Sequence, residues 1–411
     1  MTPPRPQRIW AGRVFAFIGI IVVAASMRAA VSAVSPILSL IEGDVAFTPV
    51  TVGILGMLAP VSFAVFGLAA PWGARRIGLE WTLVIAGLLL GLGQVMRVVV
   101  SDTNGFLGWS IVALAGIGAS NVLLPPIIKK YFPDQIQFMS AMYVTVMVAG
   151  TMFPSLVTAP IAELTSWRLS LASWAIVAFV AVIPWIAVIV RRRAIDKPAE
   201  APLNRNITRL VWASPLSWAI TFGLATAAFN AYTMLTWLPV LLQETIGMTP
   251  SQTGVMLATY ALMGLPASLF GPFLVARMKN VSSLFYLAGG TLIVGYAGLL
   301  FFPGTATILW VALAGLGPLL FPVCLVLINL RTRTQAGSVA LSGMAQGLGY
   351  ALGALGPLTV GVLHASTTSW APAFLMLIAS GFVAIAAGII MRKNVMVDGT
   401  QVGSPAPPPA E

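Results

Sequence analysis

Apolar residues run through this chain in stretches of about 20, the length at which a helix crosses a hydrocarbon core, and short clusters of charged residues, prolines and glycines separate them. The stretches fall near 14–40, 50–72, 81–100, 106–128, 137–160 and 169–190, then near 214–242, 252–276, 283–302, 307–329, 336–364 and 370–391. A peptide group inside a bilayer has no water to bond, so a crossing segment must satisfy itself as a helix or join a closed barrel. The alternation over about ten residues that marks a barrel strand is absent. The pattern predicts an all-α membrane protein of twelve transmembrane helices in two sets of six. One set lies in a bundle over 1–190 and the other in a bundle over 213–393. The polar segment 191–212 reads as a cytoplasmic linker, and the Pro-rich 394–411 reads as a disordered tail.

Composition agrees with that pattern. The chain of 411 residues is 58% hydrophobic and 8% charged, whereas a soluble domain is roughly 25% charged. A net charge of +11 raises the question of a nucleic-acid partner, and the placement of the charges answers it. With both termini in the cytoplasm, every Lys and Arg falls in a tail, the linker or an inner loop except Arg28, Arg97 and Arg168. The excess is therefore topological, and it predicts a multi-pass inner-membrane protein with no nucleic-acid partner. The first stretch follows Arg5, Arg8 and Arg13 but is too long for a cleaved signal sequence, so it reads as a retained span. Cys324, the one cysteine, lies inside an apolar run, facing lipid or core, and can form no internal disulfide.

The two sets repeat one another. Thr48-Pro49-x-x-x-Gly53 recurs as Thr249-Pro250-x-x-x-Gly254, and Pro71 and Arg76 recur as Pro272 and Arg277, all 201 positions on. Gly150 and Pro154 recur as Gly353 and Pro357, and Gly116-x-Gly118 recurs as Gly315-x-Gly317. Six spans separate the copies, so the halves share one topology and are expected to be related by an axis along the membrane normal.

Arg28 lies near the middle of the first span, where a cation costs about 2.5 to 3.5 kcal/mol on insertion scales. Ser32, Ser35 and Ser39 follow at helical spacing, so a continuous helix puts all four polar side chains on one face, lining water or the partner half. The guanidinium either binds an anionic or strongly dipolar solute with its fork of donors or is a structural cation held by carbonyls or a neighbouring helix. Asn121 and Gln346 are the other strongly polar groups deep in apolar runs, and Ser338, Ser342, Gln346 and Tyr350 make a stripe on span 11. They read as solute contacts or as interhelical glue. Tyr143, Tyr232 and Trp237 offer rings that wall a small pocket or pack as core or interfacial aromatics. Arg97, close to Ser101-Asp102, is expected to snorkel outward or pair with Asp102. Glu42, Asp44 and the sole histidine, His364, fall at the outer ends of spans and read as solvated.

No Asp or Glu lies in the middle of a span, so the buried carboxylate of a cation trap is missing and cationic substrates are disfavoured. One His and one Cys leave no metal set and no nucleophile with its base, and no phosphate-binding loop is present. The chain therefore reads as neither an enzyme nor a nucleotide-driven pump, and it calls for no cofactor. Glycine and proline punctuate the spans, among them Pro36, Pro154, Pro239, Pro266 and Pro357. Gly343-x-x-x-Gly347 and Gly349-x-x-x-Gly353 permit close helix approach, for tight packing or for a surface that slides during switching.

These residues resemble a known family, the major facilitator transporters, and within it the branch of cyanate permeases and 2-nitroimidazole transporters. The likeness covers roughly residues 25–375. Span 1, Arg28-Ala-Ala-Val-Ser-Ala-Val-Ser-Pro36, is similar to the branch pattern Arg-Pro-Ala-Ile-Thr-Ser-Val-Gly-Pro. Asn121-Val-Leu-Leu-Pro125 with Lys129-Lys130-x-Phe132-Pro133, Trp167-Arg168, Tyr232 with Trp237-Leu-Pro239, and Leu341-Ser-Gly-Met-Ala-Gln346-Gly-Leu-Gly-Tyr350 are further matches. Ala29 and Ser35 replace the branch's Pro and Gly. The inner loop after span 2 has Pro71 where the superfamily carries Asp and keeps only Arg75 and Arg76 of that latch. The resemblance implies two pseudo-symmetric six-helix bundles around a central cavity and transport by alternating access of a small polar or anionic solute, cyanate-like or a nitro-heterocycle. Arg28 would anchor the solute, Asn121 and Gln346 orient it, and Tyr143, Tyr232 and Tyr350 line the site with Ser32 and Trp237. Arg75, Arg76, Pro154 and Pro357 would serve the switching. The implied partners are the solute, the bilayer and co-transported protons, with the protein acting as a monomer. Proton-linked efflux of a neutral drug-like compound is the alternative within transport, and a solute sensor the alternative outside it.

Overall fold

Twelve helices long and apolar enough to cross a membrane make up the computed structural model, which describes residues 13–191, 205–278, 280–332, 334–367, 369–392 and 396–397. We number them α1 Val14–Ile41, α2 Pro49–Ile77, α3 Leu79–Met96, α4 Thr103–Tyr131, α5 Ile136–Leu164 and α6 Trp167–Arg191. After them come α7 Pro215–Ile246, α8 in two pieces, Pro250–Leu262 and Gly264–Arg277, α9 Ser282–Phe301, α10 Thr307–Leu330, α11 Gln335–Thr367 and α12 Ala371–Met391. Every predicted span is present. Of the expected linker, 192–204 lie outside the described residues, and its remainder includes a short helix, Arg205–Ala213. The expected disordered tail lies outside them too, apart from 396–397. Within each unit taken by itself successive helices alternate in direction, and we call the end where its odd-numbered helices finish its far end or far side.

Proline sets where helices break. Pro36 cannot donate to the Ser32 carbonyl, and α1 accordingly stops being α-helical after Ser32, passes through a 3₁₀ turn, Ser35–Ile37, and resumes over Leu38–Ile41. Pro266 likewise frees Leu262, where α8 divides. Proline at 318 opens a 3₁₀ turn, Gly317–Leu319, inside α10.

The helices cluster into two units. The first comprises Met1–Phe47, Val61–Pro198 and Thr249–Ala258, the second Thr48–Pro60, Ala199–Met248 and Thr259–Glu411. In the first unit α3 and α4 touch backbone to backbone, since a Cβ on Gly93 would lie 2.4 Å from Ala113 N. The second unit repeats this crossing between α9 and α10, where a Cβ on Gly295 would lie 2.6 Å from Ala314 N. The repeated Thr-Pro-x-x-x-Gly motif has the same logic. Gly53 brings the start of α2 against α11 in the second unit, with a Cβ position 2.8 Å from Pro357 O. Gly254 brings the start of α8 against α5 in the first, with a Cβ position 2.3 Å from Ser155 O. Either contact is one that a larger residue excludes. On the near side of the first unit, Glu80 at the first turn of α3 accepts from Tyr131 at 2.6 Å and pairs with Lys130 at 2.8 Å, tying α3 to the end of α4. Cys324 is a core side chain of the second unit, buried with Phe285, Leu224 and Leu320.

Candidate functional site

Arg28 sits one turn before the break in α1, half-buried, and no carboxylate pairs with it among the described residues. Tyr143 of α5, which packs along α1 in the same unit, lies within electrostatic reach of it. Ser32, fully buried, donates its hydroxyl to the Arg28 carbonyl at 3.0 Å. The single polar face expected of Arg28, Ser32, Ser35 and Ser39 is not continuous: the break turns the chain, leaving Ser32 and Ser35 buried and Ser39 exposed. Asn121, on α4 of the same unit, is half-buried and makes no hydrogen bond among the described residues.

Arg97 corrects its expected reading. It neither snorkels nor pairs with Asp102, whose carboxylate caps α4 by accepting from Gly105 N at 2.7 Å. Instead the guanidinium is 1% exposed and donates to Ala30 O at 3.0 Å, two residues beyond Arg28. The end of the regular ladder at Ser32 explains why that carbonyl is within the arginine's reach. Arg97 thus holds the last regular turn of α1, next to Arg28. Gln94, three residues earlier on the same helix face, is fully buried as well.

The other predicted residues belong to the second unit. Gln346 donates to Ser342 Oγ at 2.6 Å, and the buried Tyr350 packs against Phe321 with ring centroids 6.2 Å apart. Tyr232 is buried on α7. Trp237 is buried with its indole N–H committed to Pro357 O at 2.9 Å, at the far end of the unit beside Trp370. Pro357 is therefore in contact with both α7 and the start of α2. Pro154 is buried next to the Ser155 carbonyl that Gly254 approaches. Arg75 and Arg76 are exposed at the near end of α2, and the Arg76 guanidinium stacks on Trp72 at 3.9 Å.

Two far-end clusters depart from the expected reading, in which Asp44 and His364 are solvated. In the first unit the Asp44 carboxylate accepts from the Trp167 indole at 2.7 Å and from Arg168, and the guanidinium stacks on Trp167 at 4.4 Å. These hydrogen bonds, from Trp167 first and Arg168 second, hold Asp44 below its ordinary 3.8. In the second unit Glu244 accepts from the Trp370 indole at 2.9 Å and lies 3.2 Å from His364 Nε2. His364 is on α11, with its side chain 13% exposed. The signal available in sequence was the spacing of Trp167 and Trp370, which matches that of Pro154 and Pro357.

Among the described residues, twelve helices able to cross a membrane, a repeated packing scheme and a mid-span guanidinium that no carboxylate pairs are the make-up of a solute carrier. The sequence matches the Major Facilitator Superfamily over residues 17–354, and the chain belongs to that superfamily. It is a multi-pass membrane transporter, and its relatives are transporters rather than enzymes. It is 30% identical over 362 residues to the 2-nitroimidazole transporter of Escherichia coli (strain K12), covering 87% of this chain and 90% of that one. Identity to the cyanate transport protein CynX of the same strain is 25% over 348 residues, 84% of this chain and 88% of that one. The crystal structure of the nucleoside transporter NupG superposes with a TM-score of 0.74 at 11% identity over 92% of this chain and 99% of that one, a likeness of fold alone. The resemblance drawn from the Arg28, Asn121 and Gln346 segments agrees with these relatives.

Proposed function

We propose that this transporter carries a small polar or anionic solute, a cyanate-like ion or a nitro-heterocycle, across the cytoplasmic membrane by alternating access, with Arg28 as the anchor. The observation that carries the reading is the Arg28 guanidinium, unpaired by any described carboxylate at mid-membrane depth, since such a cation persists where a ligand or the mechanism uses it. Tyr143 and Asn121 offer further polar groups in the same unit. Gln346, Tyr350 and Tyr232 are the further candidate contacts of the second unit, and their part in binding is tested by separate variants. The named substrates of the two relatives are small and planar, which suits a fork of fixed donors. The basic residues favour both termini in the cytoplasm, which makes the far side periplasmic. An inside-negative potential opposes anion entry by about 2.3 kcal/mol per charge per 100 mV, so uptake needs proton co-transport, exchange or an outward excess of solute. The protein is taken to act as a monomer.

The test is thermal stability of purified protein with cyanate, other small anions and 2-nitroimidazole, beside Arg28→Ala. A solute that binds the folded state stabilises it by about 2.7 kcal/mol at a hundred times its Kd. Stabilisation by an anion that disappears in Arg28→Ala supports the anchor. Stabilisation that survives the substitution makes Arg28 structural and favours efflux of a neutral compound.

A further inference from the structure

The chain's one histidine is held in a built cluster at the far end of the second unit. His364 Nε2 lies 3.2 Å from Glu244 Oε2, and the same oxygen accepts the Trp370 indole N–H at 2.9 Å. The imidazole stacks on Trp370 with centroids 4.1 Å and planes 21° apart. Trp237 meets Trp370 edge-on at 5.7 Å. A carboxylate facing Nε2 sets the tautomer: that nitrogen carries the hydrogen, and Nδ1 keeps its lone pair. Nδ1 is buried, and no donor among the described residues faces it.

The surroundings isolate this pair electrically. Among the described residues, α7 carries no charged group but Glu244, α11 none but His364, and α12, residues 48–60 and the loop 302–306 carry none. The phenols of these helices, Tyr232 and Tyr350, lie about three turns or more toward the membrane interior. The matching cluster of the first unit pairs its carboxylate with Arg168, which stays charged at any physiological pH. Imidazole is the side chain that changes charge between about pH 5 and 8.

We infer that His364, Glu244 and Trp370 form a proton-binding site, taking one proton at His364 Nδ1 and converting the contact between a neutral imidazole and the Glu244 carboxylate into an ion pair beside the Trp370 ring. The proton balance is one taken up per imidazole, with no other bond made or broken. Charging creates a second N–H where no acceptor stands, which favours repacking of the cluster toward water. The repacking has a route inward, because Trp237 donates to Pro357 O at 2.9 Å and the start of α2 packs on that same carbonyl through Gly53. Protons on the far side thereby act on the contact between α2, α7 and α11. This holds whatever solute Arg28 binds.

Tryptophan emission of the full-length protein, purified without a histidine tag, tests the site between pH 8 and 5.5. An imidazolium stacked on an indole quenches it more than neutral imidazole does, and with 12 tryptophans the loss of one emitter reads as a fall of about one part in 12. The wild type is expected to show that fall reversibly, His364→Gln and Trp370→Phe to stay flat, and Glu244→Gln to show a smaller fall at pH 6. Arg168→His, which gives the first unit a titratable partner, is expected to add a second fall at Trp167. A wild type that stays flat, or a fall that persists in His364→Gln, overturns the inference. His364→Arg, which keeps a cation beside Glu244 without titration, distinguishes loss of the proton site from loss of the fold: it is expected to be folded and flat.

Discussion

The far ends of the two units use one design with different partners. In each, a carboxylate at the far end of the first helix of the half, Asp44 just past α1 and Glu244 in the last turn of α7, accepts the indole N–H of the tryptophan at the start of the last, Trp167 and Trp370. The third member is a guanidinium in the first unit and an imidazole in the second. The exchange turns a fixed clamp into one that responds to protons while the backbone scheme stays the same. Repetition has preserved geometry here and changed chemistry.

The largest expected effect that separates the two clusters comes from removing the tryptophans. Trp370→Ala empties a site shared with Trp237 and His364 and should destabilise the protein by about 3 to 5 kcal/mol, as buried aromatic truncations do. Trp167→Ala, whose ring faces the half-exposed Arg168, should cost less. Denaturant unfolding of both variants checks the order, and equal losses would mean that the aromatic packing of the second unit adds nothing. Next in size are Gly93→Ala and Gly295→Ala, each putting a methyl into a backbone crossing. They should cost a similar amount, roughly 1 to 3 kcal/mol. A large difference between them would break the claim that the units share their packing.

The smallest effect is the most specific. Asp44→Asn removes a carboxyl whose value in the folded protein is depressed by Trp167 and Arg168. Stability from a depressed carboxyl is present above the unfolded value and is lost as pH falls through the folded one. The variant should therefore be less stable than wild type by a constant amount between about pH 5 and 8, and the difference should close only in acid below 3.8. A difference that varies across the neutral range would mean that the first cluster titrates as well. Arg97→Gln sharpens a separate contrast, between broken α1 and continuous α7. Loss of the Arg97 bond to Ala30 O should weaken the solute stabilisation seen through Arg28 while leaving the Trp370 emission response intact.

Much of the fold was legible because the bilayer demands it. A crossing helix needs about 20 apolar residues, so the spans followed from run length, and the halves followed from glycines and prolines recurring 199 to 203 positions apart. Those recurrences mark places where backbones touch, as at Gly53 and Gly254, and such contacts tolerate no side chain. Arg28 was legible for a similar reason: a cation at mid-span is conspicuous against an apolar background. The face drawn through Ser39 was not correct, because it assumed a straight helix and Pro36 breaks it.

By itself the sequence determined the membrane as solvent, the number of crossings, the internal repeat and the presence of one mid-span cation, all consequences of which groups hydrocarbon accepts. The tertiary structure alone decided that Arg97 is buried against Ala30 O rather than reaching outward. It also decided that Trp237 serves the far end and that His364 meets Glu244 and Trp370. Each of these depends on side chains from helices far apart in sequence, and run length and spacing along one helix hold no information about which distant carbonyl or carboxylate will stand opposite.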